Sequence, residues 1–115
     1  VITPPTYGMY AVAAGIQGAA IKPAPLVRER DFALDADAVL AAIDPSVKLV
    51  FLCSPNNPTG SALDRAAVLR VVDGLAGRAV VVVDEAYAEF SVEPSFAAEI
   101  SSRPNLVVLR TLSKA

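Results

Sequence analysis

An α/β fold, three layers α/β/α around a mainly parallel sheet, is predicted for this chain by three observations. Val80-Val81-Val82-Val83 is a run of four β-branched residues that cannot alternate in and out, the pattern of a strand buried on both faces. Apolar runs alternate with stretches of helical spacing in strand–helix–strand units of about 27 to 30 residues, too long for hairpins. The 54% hydrophobic content calls for a doubly covered sheet, or for surfaces that normally meet protein outside this chain, yet no apolar run approaches the roughly 18–20 residues of a membrane helix. Units of this kind have parallel strands and right-handed crossovers, so successive strands point their carboxyl ends the same way. Ligands of open α/β sheets sit just beyond those ends.

The elements follow in chain order. Pro4 and Pro5 keep the start extended. Thr6 is placed to cap a helix running to about Gln17, with Met9, Tyr10, Ala13 and Ile16 on one face and Gly18 as its stop. Ala19 to Lys22 is a short strand candidate, followed by an irregular stretch around Pro23 and Pro25. Asp35 reads as the N-cap of a helix that turns Val39, Leu40 and Ile43 inward and ends near Pro45. Val47 to Cys53 is a strand that runs into the turn-rich Ser54-Pro55-Asn56-Asn57-Pro58-Thr59-Gly60. Asp64 caps a helix with Val68, Val71, Val72 and Leu75 at helical spacing, ended by Gly74 and Gly77. Ala79 to Val83 is the next strand, stopping at Asp84. A short helix near Ser95 to Ser102 leads to a last strand, Leu106 to Arg110.

The composition narrows the function. With 115 residues there is one domain at most. A net charge of -2 with dispersed basic residues argues against nucleic acid as a partner, and nothing calls for a membrane. Cys53 is the single cysteine, which excludes an internal disulfide and fits a reducing, cytoplasmic compartment. The absence of histidine removes histidine triads and histidine-based metal sites, and no metal is expected. The start has no charged segment of the signal-peptide kind, and the chain reads as a piece of a longer protein.

Asp84 ends a buried strand, a place where a carboxylate needs a partner. Asp84-Glu85 also resembles the acidic strand end of nucleotide triphosphatases, but the G-x-x-x-x-G-K-S/T phosphate loop of that class is missing. Asn57 by itself is a common turn residue. Tyr87 by itself is a packed aromatic and Lys114 a solvated lysine. Tyr7 and Tyr10 both fit a helix core, Tyr10 above all. Glu85 and Glu89 read as structural or solvated, and Cys53 as inert core. Together, a carboxylate, an amide, a phenol, a hydroxyl and a lysine at adjacent strand ends suit a cofactor with a basic ring nitrogen, a phenolic oxygen and an aldehyde.

Three segments, Ser54 to Gly60, Asp84 to Phe90 and Arg110 to Ala115, resemble the motifs of fold type I pyridoxal-phosphate aminotransferases. With Pro4 to Tyr10 the resemblance is nearer to the histidinol-phosphate aminotransferases. It implies pyridoxal 5'-phosphate as cofactor, a small-molecule amino donor and a 2-oxo acid as substrates, and a homodimeric parent. The implied reaction is transamination between L-histidinol phosphate and 2-oxoglutarate in histidine biosynthesis. By position, Lys114 would form the Schiff base and shuttle the proton, which a lysine does only as a neutral amine. Asp84 would pair with the ring nitrogen, Asn57 and Tyr87 with the ring oxygen, and Tyr7 would stack on the ring. Thr111 and Ser113 would reach the phosphate.

The resemblance also implies that residues 1–115 are the central part of a large, cofactor-binding domain. Both ends of that domain, a small domain and a phosphate-binding arginine would lie outside them, and the piece alone would be inactive. An aromatic amino-acid aminotransferase and a decarboxylase of the same fold share these motifs. A non-catalytic α/β module that oligomerises through apolar surfaces is the alternative from another class.

Overall fold

A computed structural model of the chain describes residues 1–114; Ala115, the last residue of the third motif, lies outside them. The sheet has three strands, β1 (Leu49–Cys53), β2 (Val80–Asp84) and β3 (Leu106–Leu109), in the order β1-β2-β3. Both pairings are parallel, and Cys53, Asp84 and Leu109 stand in one row at the carboxyl edge. The expected α/β class and parallel sheet are therefore present. Strand β1 begins at Leu49 and not at Val47, β2 is shifted one residue on from Ala79–Val83, and β3 stops at Leu109, one residue before Arg110. Val47 closes a turn onto Asp44 instead of joining the ladder.

One face of the sheet carries Val50, Leu52, Val81, Val83 and Leu106. Helices α2 (Ala36–Ala41) and α3 (Arg65–Gly74) pack over it with Val39, Val68, Val71 and Val72 fully buried. Both helices begin at the expected caps. Asp35 accepts from the Ala38 N–H and Asp64 from the Ala67 N–H, each at 3.0 Å, and each satisfies one of the orphan donors of a first turn. Gly74 serves a different purpose from the one its position suggests. A Cβ there would come within 2.9 Å of Leu40 Cδ2, so it gives close approach between the two helices. The positive φ after the helix belongs to Gly77.

The opposite face is only partly covered. Helix α1 (Met9–Ile16) meets it through Tyr10, whose ring stacks on Phe51 at 4.9 Å between centroids. Leu49, Val107 and Leu109 on this side stay exposed, so burial on both faces holds for β2 alone. The expected inward face of α1 is also corrected. Tyr10 is buried, while Met9, Ala13 and Ile16 are exposed. No charged residue breaks the helix, so its spacing could not select a face. Thr6 does not cap this helix, because Gly8 occupies the cap position and the Thr6 hydroxyl is spent on Asn56. The helix does stop at Gly18. The Ala19 N–H reaches the Ala14 carbonyl and the Gly18 N–H the Gly15 carbonyl, the Schellman arrangement.

The strand expected at Ala19 to Lys22 is absent. The Ile2 N–H bonds the Lys22 carbonyl and the Ile2 carbonyl the Ala24 N–H, a one-residue bridge to Pro23, and a second such bridge joins Ile2 to Phe51 of β1. The Leu26 N–H goes on to the Pro4 carbonyl, but Pro4 has no N–H to return to the Ala24 carbonyl, so no strand forms. The helix expected near Ser95 is a 3-10 segment, Phe96–Ser102, capped by Ser95.

Candidate active site

The carboxyl edge of the sheet opens into a cleft of about 330 Å³, within the range of small-molecule sites. Asp84, Asn57, Tyr87 and Lys114 line it, with Tyr7, Thr111 and Ser113. The seven residues to which the resemblance gives a site role thus line one cavity. The topology explains why: the loops after β1, β2 and β3 leave the same edge of a parallel sheet, and the segment before α1 closes over them.

Asp84 is the last residue of β2 and forms the floor. Its Oδ1 accepts from the Ala86 N–H at 3.0 Å and its Oδ2 from the Tyr10 hydroxyl at 2.6 Å, a short bond of the charge-assisted kind. Tyr10 was expected to be core, and it is buried, but its hydroxyl serves the site. Burial first, and the bond to Asp84 second, hold that hydroxyl far above the ordinary phenol range, so it stays a donor. Cys53 also lines the cleft beside Tyr10. Burial pushes its thiol up, in keeping with an unreactive group.

Glu85 neighbours Asp84 in sequence and takes no part in the cleft. It is buried, accepting from the Ser95 hydroxyl at 2.6 Å and the Phe96 N–H at 2.7 Å, and so anchors the 3-10 segment. This is the structural reading of that residue. Glu89 pairs with Arg110 at 3.4 Å, and Arg110 lies 3.9 Å from Glu85. Arg110 lines the cleft as well, which sequence reasoning missed.

The Asn56-Asn57 pair divides its work. Asn57 lines the cleft, while Asn56 is buried behind it. The Asn56 amide donates to the Pro5 carbonyl at 2.8 Å and to Thr59 Oγ1 at 2.9 Å, and it accepts from the Thr6 hydroxyl at 3.0 Å. Asn56 thereby fastens the segment carrying Tyr7 to the loop carrying Asn57. Nothing in the residue types alone distinguishes the two asparagines.

The rings of Tyr7 and Tyr10 pack in a T-shaped pair, 5.6 Å between centroids at 87°, and Tyr7 is exposed. The Lys114 ammonium sits 5.5 Å from the centre of the Tyr87 ring, within cation–π range. Thr111 and Ser113 share a hydroxyl–hydroxyl bond of 2.8 Å, and the Ser113 N–H donates to Thr111 Oγ1 at 3.0 Å, which shapes the turn before Lys114. Among the described residues no group of three or more carboxylate or cysteine ligands is placed to hold a metal. None of their helices is long and apolar enough to cross a membrane.

Comparison with known proteins gives a consistent picture. The sequence profile of aminotransferase class I and II matches residues 1–115. The histidinol-phosphate aminotransferase of Pseudoalteromonas atlantica is 51% identical over 114 residues, covering 99% of this chain and 30% of its own. That of Xanthomonas campestris pv. campestris is 53% identical over 118 residues, covering 100% and 32%. The chain spans about a third of the length of such curated relatives. Among solved structures, the histidinol-phosphate aminotransferase of Clostridium acetobutylicum superposes with a TM-score of 0.89 at 27% identity, covering 98% of this chain and 34% of that one. An aspartate aminotransferase of Thermus thermophilus superposes at 0.88 with 22% identity, over 98% and 30%, a likeness of fold.

Proposed function

This chain belongs to the class I and II aminotransferases, and from that premise we propose that the whole protein moves an amino group between L-histidinol phosphate and 2-oxoglutarate. Residues 1–115 would be the central part of its large, cofactor-binding domain, and the whole would act as a homodimer. The observation that carries the reading is the meeting of Asp84, Asn57, Tyr87, Thr111, Ser113 and Lys114 in one cleft. Relatives about half identical and bearing the histidinol-phosphate name support the choice of substrate.

The donor set fits pyridoxal 5'-phosphate. The Asp84 carboxylate, held at both oxygens, is suited to a protonated ring nitrogen. The Asn57 amide and the Tyr87 hydroxyl would take the ring oxygen. Tyr7 would cover one ring face, and the Thr111 and Ser113 hydroxyls would take the phosphate. When bound, the cofactor supplies an aldehyde for the amine and a ring that withdraws electrons from the substrate carbon. Asp84 would keep the proton on the ring nitrogen. Lys114 Nζ would bind the cofactor covalently and, once displaced by the substrate amine, carry the proton at the substrate α-carbon.

Two experiments test this. Borohydride reduction of the whole protein with pyridoxal phosphate should label Lys114, as read by peptide mass; labelling elsewhere contradicts the assignment. Steady-state kinetics should favour histidinol phosphate over phenylalanine as amino donor. The reverse preference would make it an aromatic amino-acid aminotransferase.

A further inference from the structure

Behind the cleft floor, a buried phenol is bonded to the acid on which the proposed chemistry depends. The Tyr10 ring is held on two sides, stacked at 16° on Phe51 and perpendicular to Tyr7. Its hydroxyl has one short bond, 2.6 Å to Asp84 Oδ2, bridging 74 positions of sequence. The Ala86 N–H holds the other oxygen. A carboxylate offers about four lone-pair sites, so with one donor on each oxygen it keeps further sites for a ligand in the cleft. The two donors together fix the plane of the carboxylate.

The geometry points to Tyr10 as a positioning residue for Asp84, orienting its carboxylate toward the cofactor's ring nitrogen. This rests on the reading of Asp84 given above. Tyr10 touches neither substrate nor cofactor in this assignment and acts through Asp84 alone. The groups facing its hydroxyl are Asp84 and the Cys53 thiol. A phenylalanine would fill the same ring volume against Phe51, so packing by itself gives no reason for the oxygen. A buried tyrosine hydroxyl with a partner does.

The test uses the whole protein loaded with pyridoxal phosphate, with two readouts: the cofactor's dissociation constant and the pH at which its visible absorbance changes. Asp84→Asn should shift that pH and weaken binding. Tyr10→Phe should shift it in the same direction by less, and weaken binding about tenfold, as expected for one hydrogen bond to a charged group. In the double variant Tyr10→Phe should add nothing, because its effect runs through Asp84. If Asp84→Asn moves both readouts and Tyr10→Phe neither, the inference is overturned and the assignment of Asp84 stands. If neither variant moves them, that assignment falls and the inference with it. Should Tyr10→Phe fail to fold, 3-fluorotyrosine at position 10 keeps the ring and strengthens the donor. It should move the absorbance transition the opposite way, and no movement would again overturn the inference.

Discussion

Asp84 and Lys114 bear the whole chemical case. Asp84→Asn keeps the size of the side chain and loses the charge that would hold a ring proton. In the whole protein the expected outcome is a folded, cofactor-deficient enzyme slowed by about a hundredfold or more, toward the lower end of what a positioned proton is worth. Stopped-flow single turnovers with a melting curve alongside would check it, and an undiminished rate would remove Asp84 from the site. At this scale the sequence was most informative about Asp84, a carboxylate ending a valine run. Asn57 and Lys114 read by themselves as a turn residue and a solvated lysine, and only their place at adjacent strand ends singled them out. Tyr10 was legible only as core, because a tyrosine on an apolar face gives no sign of where its hydroxyl points. Asn56 was hidden by its neighbour. Asn56→Ala would leave the Pro5 carbonyl and the Thr6 hydroxyl without their partner and cost about 1–3 kcal/mol. A urea titration measures that. The same variant should weaken cofactor binding, since Tyr7 and Asn57 would no longer be held together.

Among the elements, α3 was the easiest to anticipate. Its polar outer face, Asp64 cap and valines at helical spacing agree with one another, and they produce a helix with Val68, Val71 and Val72 fully buried. Leu75, just past its end, is equally buried; Leu75→Ala should cost about 2–5 kcal/mol in the same titration. Where such agreement was missing, expectation failed. Helix α1 is apolar all round, and its face is decided by Phe51 and Asp84, residues far away in sequence. The bridges at Ile2 depend on Pro23 and Phe51, some 20 and 50 residues away, and Pro4 cuts the ladder short for want of an N–H. Strand boundaries shifted for a similar reason, since an apolar run does not record where its neighbour's ladder stops.

For the molecule as a whole, charge and cover matter more than any single contact. Arg65 and Arg103 both pair with Glu99, and Arg103 also grips Asp73, so an ion-pair cluster ties the 3-10 segment to α3. The bond from Arg65 leads the causes that hold Glu99 below its ordinary value of 4.5. A carboxylate depressed by folding stabilises the fold above that ordinary value and loses the contribution as pH falls through its lower, folded value. Stability should therefore decline as the solution is acidified below about pH 4.5, and Glu99→Gln should flatten that decline, as followed by circular dichroism melts across pH. The partly covered sheet face predicts a second collective property. With Leu49, Val107 and Leu109 exposed, these 115 residues purified by themselves should self-associate. Light scattering would give a mass above 11.9 kDa, and a clean monomer would contradict the prediction.

The valine run of β2 has one more implication. Four identical side chains carry no phase: slide the strand by one position and a valine still meets each face. What distinguishes the two settings is the pair of acids that follows, one turned to the cleft and the other to Ser95 and Phe96. Asp84 and Glu85 thus act as a key at the end of a blank shaft. Exchanging their identities would leave charge and composition untouched. It would set the longer acid against Tyr10 and the shorter one short of the 3-10 segment, a mismatch that no valine could correct.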